Sequence, residues 1–388
     1  MSRPASRPVV IDLFCGAGGL SEGLTQAGFD VRVGLDFDPH ALSTFSANHP
    51  NARAICADIA KVSGADLTEA AGTTDIDLIT GGPSCQGFST HGKRIEEDQR
   101  NFLFREFVRV VREVKPKFFL MENVKGLLVY SKGHFKSLIE ESFSRIGYRV
   151  ASATLCAADY GVPQMRHRVV FIGTRLDSEL SFPEPMFGAN SLLLPAYRTV
   201  ADALSDLPLI GTDYGRREWR YSSRPLNAFQ QYVRSHGAKS VVLHQSKPLS
   251  EQAARLAKFI TQGQGLRSVP ARYLPKRFQK MRRISTGALR RDCTTLYYRL
   301  DPNRPAYTIT CNYRNVASGP FMHPDEDRSI SHREAARLMS YPDHYLFLGS
   351  GIPRQIGNSV PPLMAAALGR HLLQLLSDTS VKRFRRAA

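Results

Sequence analysis

The stretch GGPSCQGFS, residues 81–89, places a cysteine among glycines, serines and a proline. Small neighbours leave the Cys85 sulfur uncovered, and Gly81, Gly82 and Gly87 allow backbone paths closed to other residues. A cysteine is usually inert core or a staple. A loop of this composition suits neither role, so the thiol is a candidate nucleophile. Glu122 closes the apolar run KPKFFLMEN, and Arg166 and Arg168 lie in QMRHR, where the run HRVVFIGTRL begins. A thiol, a carboxyl group and a guanidinium facing one substrate are a set for nucleophilic and acid–base chemistry.

Positioning these groups requires a scaffold, and the first part of the chain reads as alternating strands and helices. VVIDLF (9–14), DVRVGLDFD (30–38), ARAICAD (52–58), DIDLITGG (75–82) and KPKFFLMEN (115–123) read as strands. GLSEGLTQAG (19–28), PHALSTFSANHP (39–50), residues 101–114 and FKSLIEESFSRIG (135–147) have helical spacing. YRVASATLCA (148–157) and HRVVFIGTRL (167–176) add two further strands. This is the pattern of an α/β fold with a doubly wound, mostly parallel sheet. Ligands of such sheets bind outside the carboxyl ends of the strands, where Cys85 and Glu122 both fall.

The same edge carries a second set of residues. DLFCGAGGLSEGL follows the first strand and opens the first helix, so its glycines allow a tight turn and close approach of a ligand to backbone N–H groups. Asp36, ending the second strand, stands where carboxylates of such folds accept hydrogen bonds from ribose hydroxyls. Phe37 beside it can pack on an adenine ring, and Asp58, ending the third strand, can accept from an exocyclic amine. Taken singly, each is as readily a helix cap or a solvated side chain. In register, they favour an adenosine-containing cofactor over a bare phosphate, since the loop lacks the lysine of G-x-x-x-x-G-K-[ST].

Beyond about residue 182 the rhythm fails, and charge takes over as the signal. Residues 211–300 hold 19 Lys and Arg against 4 Asp and Glu, a balance of +15 out of the whole chain's +17. A block of that kind neutralises phosphates and releases counterions, which points to nucleic acid. Its aromatics, Trp219, Phe229, Tyr232, Tyr273, Phe278, Tyr297 and Tyr298, read as part of a contact surface. Periodicity returns at SHREAARLMSYPD and PPLMAAALGRHLLQLL, two expected helices in a C-terminal part that rejoins the first domain.

Other classes are excluded by what the sequence lacks. No apolar run is long enough to span a bilayer, and the first residues lack a signal-peptide pattern, so the expected setting is cytoplasmic with no membrane partner. The six cysteines (15, 56, 85, 156, 293 and 311) form no C-x-x-C pair, and no H-E-x-x-H occurs, so neither a disulfide framework nor a metal site is expected.

Seven stretches, DLFCGAGGLSEGL, GLDFD, GGPSCQGFS, MENVKGL, ADYGVPQMRHR, SHREAARLMSYPDHY and RQIGNSVPP, occur in an order and spacing that resemble the DNA (cytosine-5) methyltransferases along nearly the whole chain. The resemblance implies the fold of S-adenosylmethionine-dependent methyltransferases, with a catalytic domain at 1–182, a smaller, irregular target recognition domain at 183–318, and residues 319–388 returning to the catalytic domain. It implies S-adenosyl-L-methionine held by Phe14, Gly16, Gly18, Asp36, Phe37 and Asp58, with Asn358 near the methionine end. It further implies attack of Cys85 on C6 of a flipped-out cytosine in double-stranded DNA, with Glu122 donating to N3, Arg168 holding O2 and Arg166 in support. Ser84 departs from the second proline more usual in the family, which touches loop stiffness. The expected protein is a monomer in a bacterial cytoplasm, associated with nucleoid DNA. It is expected to be sequence-specific, with a cognate restriction endonuclease as functional counterpart. The alternatives are a tRNA cytosine-5 methyltransferase, against which stand the basic block and the absence of a Cys-Phe-Thr tripeptide, and a catalytically inactive DNA-binding protein.

Overall fold

The structure, a computed structural model, describes residues 7–83, 103–129, 134–189, 191–234, 237–279 and 293–387. Cys85, Ser84 and the segment 86–102 lie outside the described residues. The chain begins β1 (Val9–Leu13), α1 (Gly19–Ala27), β2 (Asp30–Asp36), α2 (Pro39–Asn48), β3 (Arg53–Cys56), α3 (Gly64–Ala71), β4 (Leu78–Gly81), α4 (Leu103–Val114) and β5 (Phe118–Val124). After α5 (Gly126–Val129) and α6 (His134–Ser144) come β6 (Arg149–Cys156), the short β7 (Gln164–Met165) and β8 (His167–Thr174).

Seven of these strands form one sheet in the order β3-β2-β1-β4-β5-β8-β6. The first five pair in parallel, and β8 runs antiparallel between β5 and β6. Burial on both faces explains the unbroken apolar runs: every residue of β1 is buried, as parallel strands covered by helices require. α4 shows the complementary pattern, with Phe104, Phe107, Val110, Val111 and Val114 inward at helical spacing. The helix α3, absent from the sequence reading, starts at a capping box between Ser63 and Asp66.

One sheet face is covered by α3, α4 and α6, the other by α1 and the C-terminal helix α13 (Pro362–Ala387). α13 lies so close to α1 that a Cβ at Gly23 would meet the Pro362 carbonyl and Ala365. One face of the sheet is thus covered by residues over 300 positions from its first strand.

Between these parts come α7 (Val200–Leu204), β9 (Glu218–Arg220), α8 (Ala228–Val233), β10 (Ser240–Val242), α9 (Glu251–Ala257), α10 (Lys276–Gln279), β11 (Ala306–Tyr307), α11 (His332–Leu338) and α12 (Ile352–Asn358). Those within the basic block, β9 to α10, are too short to show a period, which is why it reads as irregular. Its aromatic residues correct the surface reading: Trp219, Phe229, Phe278 and Tyr297 are buried, and of the seven only Tyr273 is exposed. Trp219, Phe229 and Val241 share a core with α11, whereas Leu256, Leu266, Phe278 and Tyr297 form a separate small one.

Arg333 and Glu334 are buried at the start of α11. Arg333 donates to the carbonyls of Val242, Pro342 and Tyr345. Glu334 closes a capping box with Ser331 and takes both amino groups of Arg328 at 2.7 and 2.8 Å. A buried guanidinium is tolerated only with such partners.

Candidate active site

Antiparallel pairing of β5 and β8 sets Val124 opposite Arg168 and Glu122 opposite Val170. Glu122 and Arg168 are therefore diagonal neighbours on one face, near the carboxyl end of β5. The Arg168 Nε lies 2.7 Å from Glu122 Oε1, and both side chains are largely buried. This ion pair is oblique, so Oε1 makes no hydrogen bond among the described residues. Burial pushes the Glu122 carboxyl above its ordinary range, against the opposing pull of Arg168 and Arg166.

The chain leading to Cys85 passes directly over this carboxyl. A Cβ at Gly82 would stand 3.3 Å from Glu122 Oε2, a tight contact that glycine avoids. Asn123 Nδ2 donates to the Pro83 carbonyl at 3.0 Å and fixes the chain two residues before the cysteine. Sequence reasoning gave Asn123 no role, since its partner is 40 residues away.

Arg166 has a different setting from Arg168. Its guanidinium is fully buried and donates to the carbonyls of Ile309, Gly357 and Ser359. Those bonds tie the segments around β11 and after α12 to the end of β7. Arg166 therefore faces backbone, and its Nε has no partner among the described residues.

The glycine-rich turn after β1 takes left-handed backbone at Phe14 (φ 59°), Gly16 (φ 52°) and Gly18 (φ 85°). Both oxygens of Asp36 hold backbone N–H groups, those of Gly16 at 2.8 Å and Asp38 at 2.9 Å, which binds the turn to the end of β2. Phe37, next along, is 75 % exposed. Asp58 is exposed and accepts from the Ala60 N–H at 3.1 Å. Asn358 ends α12 and is exposed; its neighbours Ser359 and Val360 crowd Gly19, bringing this segment to the start of α1.

Asp12, which the sequence reading passed over as part of an apolar strand, is buried beneath the same turn. One of its oxygens accepts from Ser21 Oγ at 2.6 Å; the other has no partner among the described residues. Burial pushes its carboxyl up to about 7.

A family profile described as C-5 cytosine-specific DNA methylase matches residues 9–374, which include every element of this site. The chain belongs to that family. The methylase is 36% identical to the Type II methyltransferase M1.HphI of Haemophilus parahaemolyticus, over 94% of its own length and 86% of the relative's. It is 34% identical to the Type II methyltransferase M.DdeI of Desulfomicrobium norvegicum, over 96% and 91% of the two chains. Among solved structures, it resembles a putative DNA modification methyltransferase encoded within an E. coli prophage, with TM-score 0.73 and 28% identity, covering 95% of this chain and 99% of that one. S. pombe Dnmt2 shares the fold at TM-score 0.56 and 17% identity, covering 96% and 99%. The doubly wound sheet expected from the sequence is thus the methyltransferase fold. No helix of the described residues is long and apolar enough to cross a membrane.

Proposed function

We propose that the methylase modifies cytosine in duplex DNA at C5 through a covalent adduct on Cys85. The observation that carries this reading is the Glu122–Arg168 pair beneath the start of the cysteine loop. C5 of cytosine is a weak nucleophile. Bond formation between Cys85 Sγ and C6 turns it enamine-like, and protonation of N3 by Glu122 removes the negative charge the addition creates. A raised carboxyl suits that donor, and the neighbouring guanidinium of Arg168 suits the cytosine O2. After C5 has taken the methyl group, loss of its proton to a base expels Cys85 and restores the aromatic ring; a water molecule can serve as that base.

The residues at the other end of the site fit S-adenosyl-L-methionine. The exposed Phe37 ring offers a face for adenine, and Asp36 keeps free lone pairs for ribose hydroxyls. Phe14, Gly16 and Gly18 shape the turn, and we assign Asp58, after β3, and Asn358, at the end of α12, to the same site. Bound there, the sulfonium supplies an electrophilic methyl group.

A base within a duplex cannot present C6 to a thiol, so the target nucleotide is flipped out at a cost of a few kcal/mol. We assign residues 1–182 and 319–388 to catalysis and 183–318 to target recognition, where the excess positive charge lies. As in the relatives named Type II methyltransferases, the product is read as the protective mark of a restriction–modification pair. Transfer of labelled methyl groups to duplex DNA and to tRNA, with Cys85→Ala as control, tests the reading. Label at cytosine C5 of the duplex supports it; label confined to tRNA, or retained in the control, overturns it.

A further inference from the structure

Two buried side chains far apart in sequence close on the backbone of the glycine-rich turn. The Tyr345 hydroxyl donates to the Ala17 carbonyl at 2.6 Å, across 328 residues. His49 Nε2 lies 3.3 Å from both the Gly18 carbonyl and the Tyr345 oxygen. The phenol has one proton and gives it to Ala17, so toward His49 it can only accept. The Gly18 carbonyl also only accepts, which assigns the imidazole proton to Nε2. Burial lowers the His49 pKa, in keeping with a neutral ring that donates once.

The fit around this pair leaves no slack. A Cβ at Gly18 would stand 2.7 Å from both His49 Nε2 and the Tyr345 oxygen, so the left-handed turn and the two side chains require each other. Tyr345 is itself held, since its carbonyl accepts from the buried Arg333 at 3.1 Å. His49 is fixed from the other side by the Phe45 ring, at 4.8 Å between centroids.

We infer that Tyr345 and His49 are positioning residues for the cofactor: by holding the carbonyls of Ala17 and Gly18 they fix the glycine-rich turn and the start of α1 in the conformation that receives the ligand. The inference rests on the reading of this turn as the S-adenosylmethionine site. Neither side chain needs to touch the ligand. Their effect is on the conformation of the free turn, and preorganisation of that kind is expressed in affinity.

The test is calorimetric binding of S-adenosylhomocysteine to the full chain, compared among the unsubstituted protein, Tyr345→Phe, His49→Leu, His49→Gln and Tyr313→Phe. Tyr313→Phe also removes one buried tyrosine hydroxyl, but that hydroxyl bonds His332 and not the turn. Tyr345→Phe is expected to weaken binding about tenfold, because it leaves the Ala17 carbonyl without its donor, and His49→Leu to weaken it less, because the Gly18 carbonyl keeps the Glu22 N–H at 2.8 Å. His49→Gln, which keeps an N–H donor, recovers most of the loss, and Tyr313→Phe binds as the unsubstituted protein does. In steady state, Tyr345→Phe raises KM for the cofactor with little change in kcat. Unchanged affinity in a folded Tyr345→Phe protein overturns the inference alone, as does an equal loss in Tyr313→Phe. Absence of binding to the unsubstituted protein overturns the cofactor reading, and the inference with it.

Discussion

Arg168 Nε stands 2.7 Å from Glu122 Oε1 without the alignment of a hydrogen bond, so a buried carboxyl has a charge partner while this oxygen keeps its hydrogen-bonding capacity unused among the described residues. Two opposed influences meet there: desolvation raises the Glu122 pKa, and Arg168, then Arg166, lower it. If protonated Glu122 is the donor to N3, its fraction falls as pH rises through the pKa in the complex, and single-turnover methylation declines on the alkaline side. Arg168→Met removes the largest opposing charge and is expected to move that decline to higher pH while lowering the maximal rate. Glu122→Gln is expected to lose about 10²–10⁴-fold in rate. A rate profile whose alkaline limb moves to lower pH in Arg168→Met contradicts this assignment.

Arg166 should behave as a structural residue, although QMRHR places it beside Arg168. Its removal leaves the carbonyls of Ile309, Gly357 and Ser359 without donors in a buried setting. Arg166→Ala is expected to cost about 3 kcal/mol or more of stability, since each bond to a charged group contributes about 1.5–3 kcal/mol. Chemical denaturation measures it. A protein of normal stability that has lost only the methylation step would contradict the assignment.

Asp12 gives a stability signature with a defined window. Its carboxyl, at about 7 in the folded chain against an ordinary 3.8, stays protonated while the unfolded chain ionises. The stability it contributes is complete below the unfolded value and is lost as pH rises through the folded one. Relative to Asp12→Asn, the unsubstituted methylase should therefore lose stability between pH 3.8 and about 7, and then level off. The total is on the order of 4 kcal/mol. Urea denaturation of both proteins across that range checks it, and a constant difference with pH would count against it.

Phe37 separates binding from folding. With three quarters of its surface exposed, it contributes little to the core, so Phe37→Ala should leave thermal unfolding nearly unchanged. Loss of a stacked base costs about 1–3 kcal/mol, so cofactor affinity should fall by about 5- to 150-fold. Equal affinity in the two proteins would remove the ring from the site.

Much of this was legible in the chain because burial writes itself into apolar runs. VVIDL and KPKFFLMEN read as strands since parallel strands are covered on both faces, and Glu122 stood out as the carboxyl that ends one of them. The inverted direction of β8 was not legible, because HRVVFIGT has the same composition either way round. α3 announced itself only through Ser63 and Asp66, a capping signal easily missed without a long apolar stripe. The partners of the glycine turn were hidden for another reason. His49 and Tyr345 reach Gly18 and Ala17 through the fold, 31 and 328 residues away, and nothing local marks them. The aromatic content of the basic block misled in the opposite sense, since Trp219 and Phe278 serve its cores.

The covalent step is tested most directly with duplex DNA in which the target cytosine carries fluorine at C5. Fluorine cannot leave as a proton does, so the elimination that frees the thiol is blocked after methyl transfer. Incubation with S-adenosylmethionine, denaturation and intact-mass analysis should then show one DNA strand and one methyl group bonded to the protein, mapped by peptide analysis to Cys85 and absent in Cys85→Ser. If the unsubstituted methylase modifies ordinary duplex DNA and yet forms no adduct with the fluorinated strand, or forms one at another residue, Cys85 is not the nucleophile.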